Sequence, residues 1–165
     1  MEKPQEPALP CGFSVSAGSL SFREMDPSDI DEVLSIERSS FSYPWSVEFF
    51  LQETRVPCAR SLLGVLDGKT IGYIIYWVLP YEVDIHNLAV APAYRRKGFG
   101  RSLLQTVVED ARKRGVSRVT LEVRKSNEAA QCLYASLGFT SCGVRQGYYS
   151  DNNEDALIMV LDLGV

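Results

Sequence analysis

Asn87-Leu88-Ala89-Val90-Ala91-Pro92-Ala93-Tyr94-Arg95-Arg96-Lys97-Gly98-Phe99-Gly100-Arg101-Ser102-Leu103-Leu104 is the stretch on which the fold turns. Asn87 to Val90 is apolar and strand-like, Pro92 stops it, and Phe99, Leu103, Leu104, Val107, Val108 and Ala111 then recur at helical spacing. The segment therefore reads as a strand, a basic glycine-containing turn and the start of a helix. A helix that opens on glycines offers free backbone N–H groups and the positive end of its dipole, and Arg and Lys beside it add full charges. Such a turn suits an anion such as a pyrophosphate. A Cβ at the glycines would hold a phosphate away from the amides. Neither Gly-x-x-x-x-Gly-Lys-Ser/Thr nor Gly-x-Gly-x-x-Gly is present, so this is not a P-loop or a dinucleotide fingerprint. What stands there is Arg95-x-x-Gly98-x-Gly100.

The 165 residues suit one domain with a short tail and are enough for a substantial core. A hydrophobic content of 45% and a charged content of 23% are ordinary globular values. The net charge of -4 argues against a nucleic-acid partner, which would call for a broad positive field. The basic residues at 95 to 101 are thus a local feature of an acidic chain, and locality favours a small anionic ligand. Cys11, Cys58, Cys132 and Cys142 lack Cys-x-x-Cys spacing and there is a single His, so no metal constellation is expected and the cysteines read as free buried thiols. No apolar run approaches about 18 residues and no leader pattern is present, which points to a cytoplasmic chain without a membrane partner.

In chain order, Met1 to about Ala17 carries three prolines without apolar periodicity and reads as a loosely ordered tail ahead of a single domain over 18–165. Leu20 to Met25 is a short strand. Asp26-Pro27 starts a helix, with Asp as cap, whose apolar face is Ile30, Val33, Leu34 and Ile36. Phe41-Ser42-Tyr43-Pro44-Trp45-Ser46 interrupts it before a short helix capped by Ser46; Trp45 there is either a hydrophobic staple or part of a cleft wall. Ala59 to Leu66 and Thr70 to Val78 form a hairpin about Asp67-Gly68-Lys69. Val83 to Val90 follows antiparallel, and after the helix ending near Gly115, Arg118 to Val123 should lie parallel to it through a right-handed crossover. Asn127 caps a helix carrying Ala130, Leu133, Tyr134 and Leu137. Phe139 to Val144 and Ala156 to Leu163 close the sheet around a loop at 147–154. The order β-α-α-β-β-β-α-β-α-β-β defines an α+β fold on a mixed, mostly antiparallel sheet.

Asn87 to Val90, Arg95-x-x-Gly98-x-Gly100, Leu121-Glu122-Val123-Arg124-x-Ser126-Asn127 and Leu133-Tyr134-x-Ser136-Leu137-Gly138-Phe139 together resemble the GNAT superfamily of N-acetyltransferases. Within it, Phe41-x-x-Pro44-Trp45-Ser46, Tyr148-Tyr149 and Glu154-Asp155-Ala156 are similar to the RimI-type branch, which acetylates protein N-termini. The resemblance implies a twisted sheet with a central splayed parallel pair flanked by about four helices. It implies acetyl-CoA as co-substrate with no metal, and a protein N-terminus as acceptor, the N-terminal alanine of a small-subunit ribosomal protein. It also implies that residues at 95–101, namely Arg95, Arg96, Lys97, Gly98, Phe99, Gly100 and Arg101, hold the pyrophosphate. Leu88 and Val90 would pair with the pantetheine arm through their main chain, and Asn127 would add a side-chain contact.

Acetyl transfer from a thioester needs a neutral amine, donors for the carbonyl oxygen and an acid for the leaving thiolate. Bare, Glu122 is an exposed strand carboxylate and Tyr134 a core tyrosine; the resemblance makes Glu122 the general base, through water, and Tyr134 the general acid. Tyr134 lies seven residues after Asn127, so both project from one helix face. Tyr43, Trp45, His86, Tyr148 and Tyr149 are the expected acceptor-side residues. His86 is the rival base, although a lone strand histidine is more often structural. Asp151, Glu154 and Asp155 suggest a preference for basic residues after the acceptor. Two other functions remain open: acetylation of a small amine such as a polyamine or an aminoglycoside, and non-catalytic sensing of acyl-coenzyme A. A monomer is expected.

Overall fold

The computed structural model describes residues 19–164; the tail expected over 1–17 lies outside them, as does Cys11. The chain runs β1 (Leu20–Glu24), a 3-10 turn (Pro27–Asp29), α1 (Ile30–Ser40), α2 (Val47–Glu53), β2 (Ala59–Leu66), β3 (Lys69–Val78), β4 (Glu82–Val90), a second 3-10 turn (Pro92–Tyr94), α3 (Phe99–Arg114), β5 (Arg118–Arg124), α4 (Glu128–Ala135), β6 (Thr140–Tyr149) and β7 (Glu154–Asp162). The seven strands form one sheet in the order β1-β2-β3-β4-β5-β7-β6. Every neighbouring pair is antiparallel except β4 and β5, as the crossover through α3 requires.

Local chemistry sets the boundaries. Asp26 caps its turn by accepting from the Ser28 amide at 2.7 Å, and Asp29 returns the favour to the Asp26 amide at 2.9 Å, so this reciprocal cap precedes a 3-10 turn before α1 proper. The β2–β3 hairpin turns on Asp67 and Gly68, both at positive φ, the geometry that matches the twist of a two-residue loop. Gly115 ends α3 in the left-handed region, where its N–H reaches back to the Ala111 carbonyl.

The central strands are covered on both faces. On one face α3 and α4 cover Ile74, Tyr76, Val83, Ile85, Val119 and Leu121. On the other α1 and α2 cover Leu63, Tyr73, Ile75 and Ala89. Two features differ from expectation. Cys132 and Cys142 are exposed and Cys58 is half-buried rather than buried; Cys132 sits on α4 and Cys142 on the edge strand β6. The expected loop at 147–154 is mostly strand: β6 extends to Tyr149 and β7 starts at Glu154, leaving only 150–153 as the turn.

The sheet opens at one place. β4 pairs with β5 only from Glu82↔Arg118 to Ile85↔Leu121. The next residue, His86, is an extra residue in β4, since Tyr76 faces Ile85 while Ile75 faces Asn87. A bulge interrupts a ladder and increases local twist, which is how the strands part here. It also reverses the side-chain alternation: Val83 and Ile85 join the α3 side, whereas Ala89 joins the α1 side and Leu88 and Val90 turn towards α3.

Candidate active site

A cleft of about 910 Å³ occupies the gap where β4 and β5 separate. Its walls bring together Glu122, Tyr134 and Asn127 with Tyr43, Trp45, His86, Leu88, Tyr148 and Tyr149. The expected catalytic pair and all five expected acceptor-side residues therefore share one cavity. Val90 and the turn at 95–101 stand outside its lining.

Glu122 lies one alternation beyond Thr120, whose hydroxyl donates to Asp84 at 3.0 Å, so the carboxylate faces the same side as Asp84 and His86. Its Oε1 is 3.1 Å from Nε of Arg145 on β6, and its side chain is 21% exposed. Tyr134 is buried against Phe139, with ring centroids 5.9 Å apart. Among the described residues its hydroxyl makes no hydrogen bond, yet the residue lines the cleft, so the O–H is a donor kept for something else. Burial pushes its pKa up to about 12, and Tyr149 adds to the rise, so it stays protonated at neutral pH.

His86 stacks on Trp77 at 4.5 Å, and its Nε2 lies 3.3 Å from Asp84. Burial opposes charge on the ring, but the hydrogen bond and charge of Asp84, helped by Glu53 and Glu122, outweigh it and raise the pKa above its usual value. The raised pKa biases the ring towards its protonated form.

The two walls flanking the cleft are held by specific contacts. Trp45 and Phe50 pack with tilted rings, centroids 5.6 Å apart, across the α2 start, the hydrophobic staple, while Trp45 also lines the cleft; the two readings of this loop are both realised. Tyr43 beside it is 64% exposed. Opposite, Arg124 grips the β6–β7 turn with hydrogen bonds to Asp151 at 2.8 and 2.9 Å and to Glu154 at 3.1 Å, and lies 3.8 Å above the Tyr149 ring. Glu154 also accepts from the Ser126 amide at 2.7 Å, and Asp155 accepts from the Gly147 amide at 3.0 Å. Each of these carboxylates is thus bonded within the chain, with Asp151 and Glu154 sharing the one Arg124 guanidinium.

The turn before α3 has the features of an anion site. Arg96 and Gly98 both adopt positive φ, and no side chain caps the helix, so its first amides are left for an outside acceptor. A Cβ on Gly98 would meet nothing within 4 Å; its need for glycine is the φ of +86°. The four cations divide. The Arg95 guanidinium folds back to the Val90 carbonyl and the Ser40 hydroxyl, both at 2.9 Å, and Arg101 bonds Ser136 Oγ at 2.6 Å. These two brace the framework, and the Val90 carbonyl is already engaged. Lys97 lies over the Tyr94 ring at 5.5 Å, and Arg96 is exposed without an ion pair among the described residues. Asn127 spends its Oδ1 on the Ala130 amide, as the cap of α4.

Sequence reasoning missed three polar residues here. Arg145 and Asp84 carry no pattern that singles them out. Glu37 does carry one: it falls in the apolar stripe of α1 after Ile30, Val33 and Leu34, where a carboxylate is out of place.

A splayed parallel pair, an uncapped glycine-containing helix start beside it and a carboxylate and a tyrosine lining one cleft fit an acyl-coenzyme A-dependent transferase. The acetyltransferase (GNAT) family pattern matches residues 30–139, and the chain belongs to that family. It is 41% identical over 138 residues to the putative [ribosomal protein bS18]-alanine N-acetyltransferase of Bacillus subtilis, covering 83% of this chain and 91% of the relative. It is 36% identical over 143 residues to the [ribosomal protein bS18]-alanine N-acetyltransferase of Escherichia coli K12, covering 86% and 96%. The crystal structure of the Escherichia coli ribosomal-protein alanine N-acetyltransferase superposes with a TM-score of 0.83 at 34% identity, over 89% of this chain and 96% of that one. Among the described residues no helix is long and apolar enough to cross a membrane, and no cluster of three potential metal ligands occurs.

Proposed function

We propose that this chain transfers the acetyl group of acetyl-CoA to the N-terminal α-amino group of a protein, the N-terminal alanine of a small-subunit ribosomal protein. The observation that carries the reading is Glu122 and the unpartnered Tyr134 hydroxyl in one cleft at the mouth of the splayed strands. The names of the two relatives support the choice of acceptor.

In this reading the donor lies along the edge of β4 that β5 leaves unpaired after Ile85, near Leu88, with its pyrophosphate at the amides of 96–101 and the charges of Arg96 and Lys97. The acceptor enters between the Tyr43–Trp45 loop and the Tyr148–Tyr149 strand end. As the nitrogen attacks the thioester carbon, its proton passes through water to Glu122; as the carbon–sulfur bond breaks, Tyr134 gives its proton to the thiolate and regains one from solvent. An α-amino group with a pKa of about 7.7 to 8.0 is already roughly a tenth neutral at pH 7, whereas lysine at about 10.4 is almost wholly charged. A carboxylate relay therefore suits an N-terminus better than a lysine. A ribosomal acceptor places the reaction in the cytoplasm, and one chain supplies every group named.

Incubation with acetyl-CoA and a peptide carrying an N-terminal alanine and an internal lysine tests this. Tandem mass spectrometry is expected to place the acetyl group on the α-nitrogen; acetylation confined to lysine, or to an added polyamine, refutes it.

A further inference from the structure

Glu37 is 1% exposed, and among the described residues no Lys, Arg or His pairs with it. A buried carboxylate without a counter-charge costs several kcal/mol unless its oxygens are well supplied with donors. Here the supply is complete and comes from three elements. The Trp45 amide donates to Oε1 at 2.7 Å, and the Asn87 Nδ2 donates to Oε2 at 3.3 Å. The Tyr73 hydroxyl also donates to Oε2. Trp45 belongs to the acceptor-side loop, Asn87 follows the His86 bulge on the strand edge that opens the cleft, and Tyr73 is a wholly buried residue of β3. All three partners donate, which explains an acceptor-only carboxylate in an otherwise apolar stripe.

We infer that Glu37 is a positioning residue for acceptor binding: its carboxylate ties the Tyr43–Trp45 loop to the open edge of β4 and so fixes the width of the acceptor half of the cleft. The inference rests on the proposed acceptor reading for its kinetic consequence, but not for its structural one. The turn at 95–101 that the donor reading uses stands outside the cleft lining, and the hydrogen bonds of the Glu37 carboxylate go to Trp45, Asn87 and Tyr73 and not to that turn. Loss of the carboxylate therefore weakens peptide binding and spares acetyl-CoA.

The experiment compares Glu37→Leu, Glu37→Gln and Asn87→Ala with the wild type. Glu37→Leu is expected to raise the KM for an N-terminal alanine peptide about tenfold or more, the scale of charge-assisted hydrogen bonds lost at a binding wall. Its kcat at saturating peptide and its acetyl-CoA affinity should stay within about twofold. Glu37→Gln keeps an oxygen for the Trp45 amide but turns an NH2 group towards the Asn87 and Tyr73 donors, so it should recover only part of the peptide affinity. Asn87→Ala cuts the strand arm alone and supplies a smaller rise in peptide KM if the leucine variant does not fold. In a Trp77→Phe background, Trp45 emission should shift to the red in Glu37→Leu, without any substrate present. Parallel loss of kcat and acetyl-CoA affinity, an unchanged peptide KM, or unchanged Trp45 emission overturns the inference. A wild type that acetylates no N-terminus but whose Trp45 emission responds to Glu37→Leu refutes the acceptor reading and leaves the tie itself intact.

Discussion

Replacing Tyr134 with Phe separates catalysis from stability. The ring is 8% exposed and packs on Phe139, and phenylalanine preserves that packing. What is removed is one hydroxyl that no described residue bonds, so no buried partner is stranded. The folded state should change by no more than about 0.5 kcal/mol, the scale of substitutions that break no packing or network. The rate is another matter. General acid catalysis is worth roughly a hundredfold to ten-thousandfold, or about 2.7 to 5.4 kcal/mol of transition-state stabilisation at about 1.36 kcal/mol per decade. The assay is release of free coenzyme A thiol at saturating peptide, alongside thermal unfolding and acetyl-CoA affinity. The expected outcome is a fall in kcat of that size with unchanged melting temperature and unchanged acetyl-CoA binding. A pKa of about 12 also predicts no alkaline loss of wild-type kcat from this group across pH 7 to 9. A fall in kcat below about threefold, or one matched by an equal loss of stability, would refute the assignment of Tyr134 as the acid.

Glu122→Gln should lower kcat about a hundredfold or more with acetyl-CoA affinity intact, and His86→Gln should cost much less; steady-state kinetics on both variants reverses the base assignment if His86→Gln is the more damaging. Gly98→Ala meets no atom within 4 Å, so its cost is the left-handed backbone alone, about 1 kcal/mol in a thermal melt, together with a higher KM for acetyl-CoA than for peptide. The Ser126 hydroxyl, its amide, and then Asn152 and Arg124 hold Glu154 down to about 2 from an ordinary 4.5. A depressed folded-state pKa contributes stability that is present above 4.5 and is lost as the pH falls towards 2, so the Ser126 amide resonance should titrate with a midpoint well below 4.5. A midpoint at 4.5 would mean that the β6–β7 turn is not held as described.

The fold was legible because its signals are local. The Asp67-Gly68 turn, the Asn127 cap, the helical spacing of Phe99 to Ala111 and the α3 crossover each fix a piece of the topology from neighbouring residues. The bulge at His86 was not legible: a single extra residue leaves Val83 to Val90 looking like one regular strand, and only the partner register across β3 reveals it. The site was legible in its residue types but not in their alliances. Arg95 and Arg101 read as ligand charges, yet they bond the Val90 carbonyl and Ser136; Asp151 and Glu154 read as acceptor-facing acids, yet Arg124 holds both. The Arg124 pairings join residues 27 and 30 apart in sequence, beyond any local pattern. Glu37 lies between these cases, since its place in the α1 stripe marks it while its partners at 45, 73 and 87 do not.

On the proposed function, the cleft between β4 and β5 serves an α-amine. Coenzyme A release measured at pH 7 with a peptide bearing a free N-terminal alanine, against the same peptide with that nitrogen blocked and its lysines free, tests it most directly. Turnover with the first and none with the second is the predicted result. Equal turnover with both, or turnover only with the blocked peptide, would contradict it.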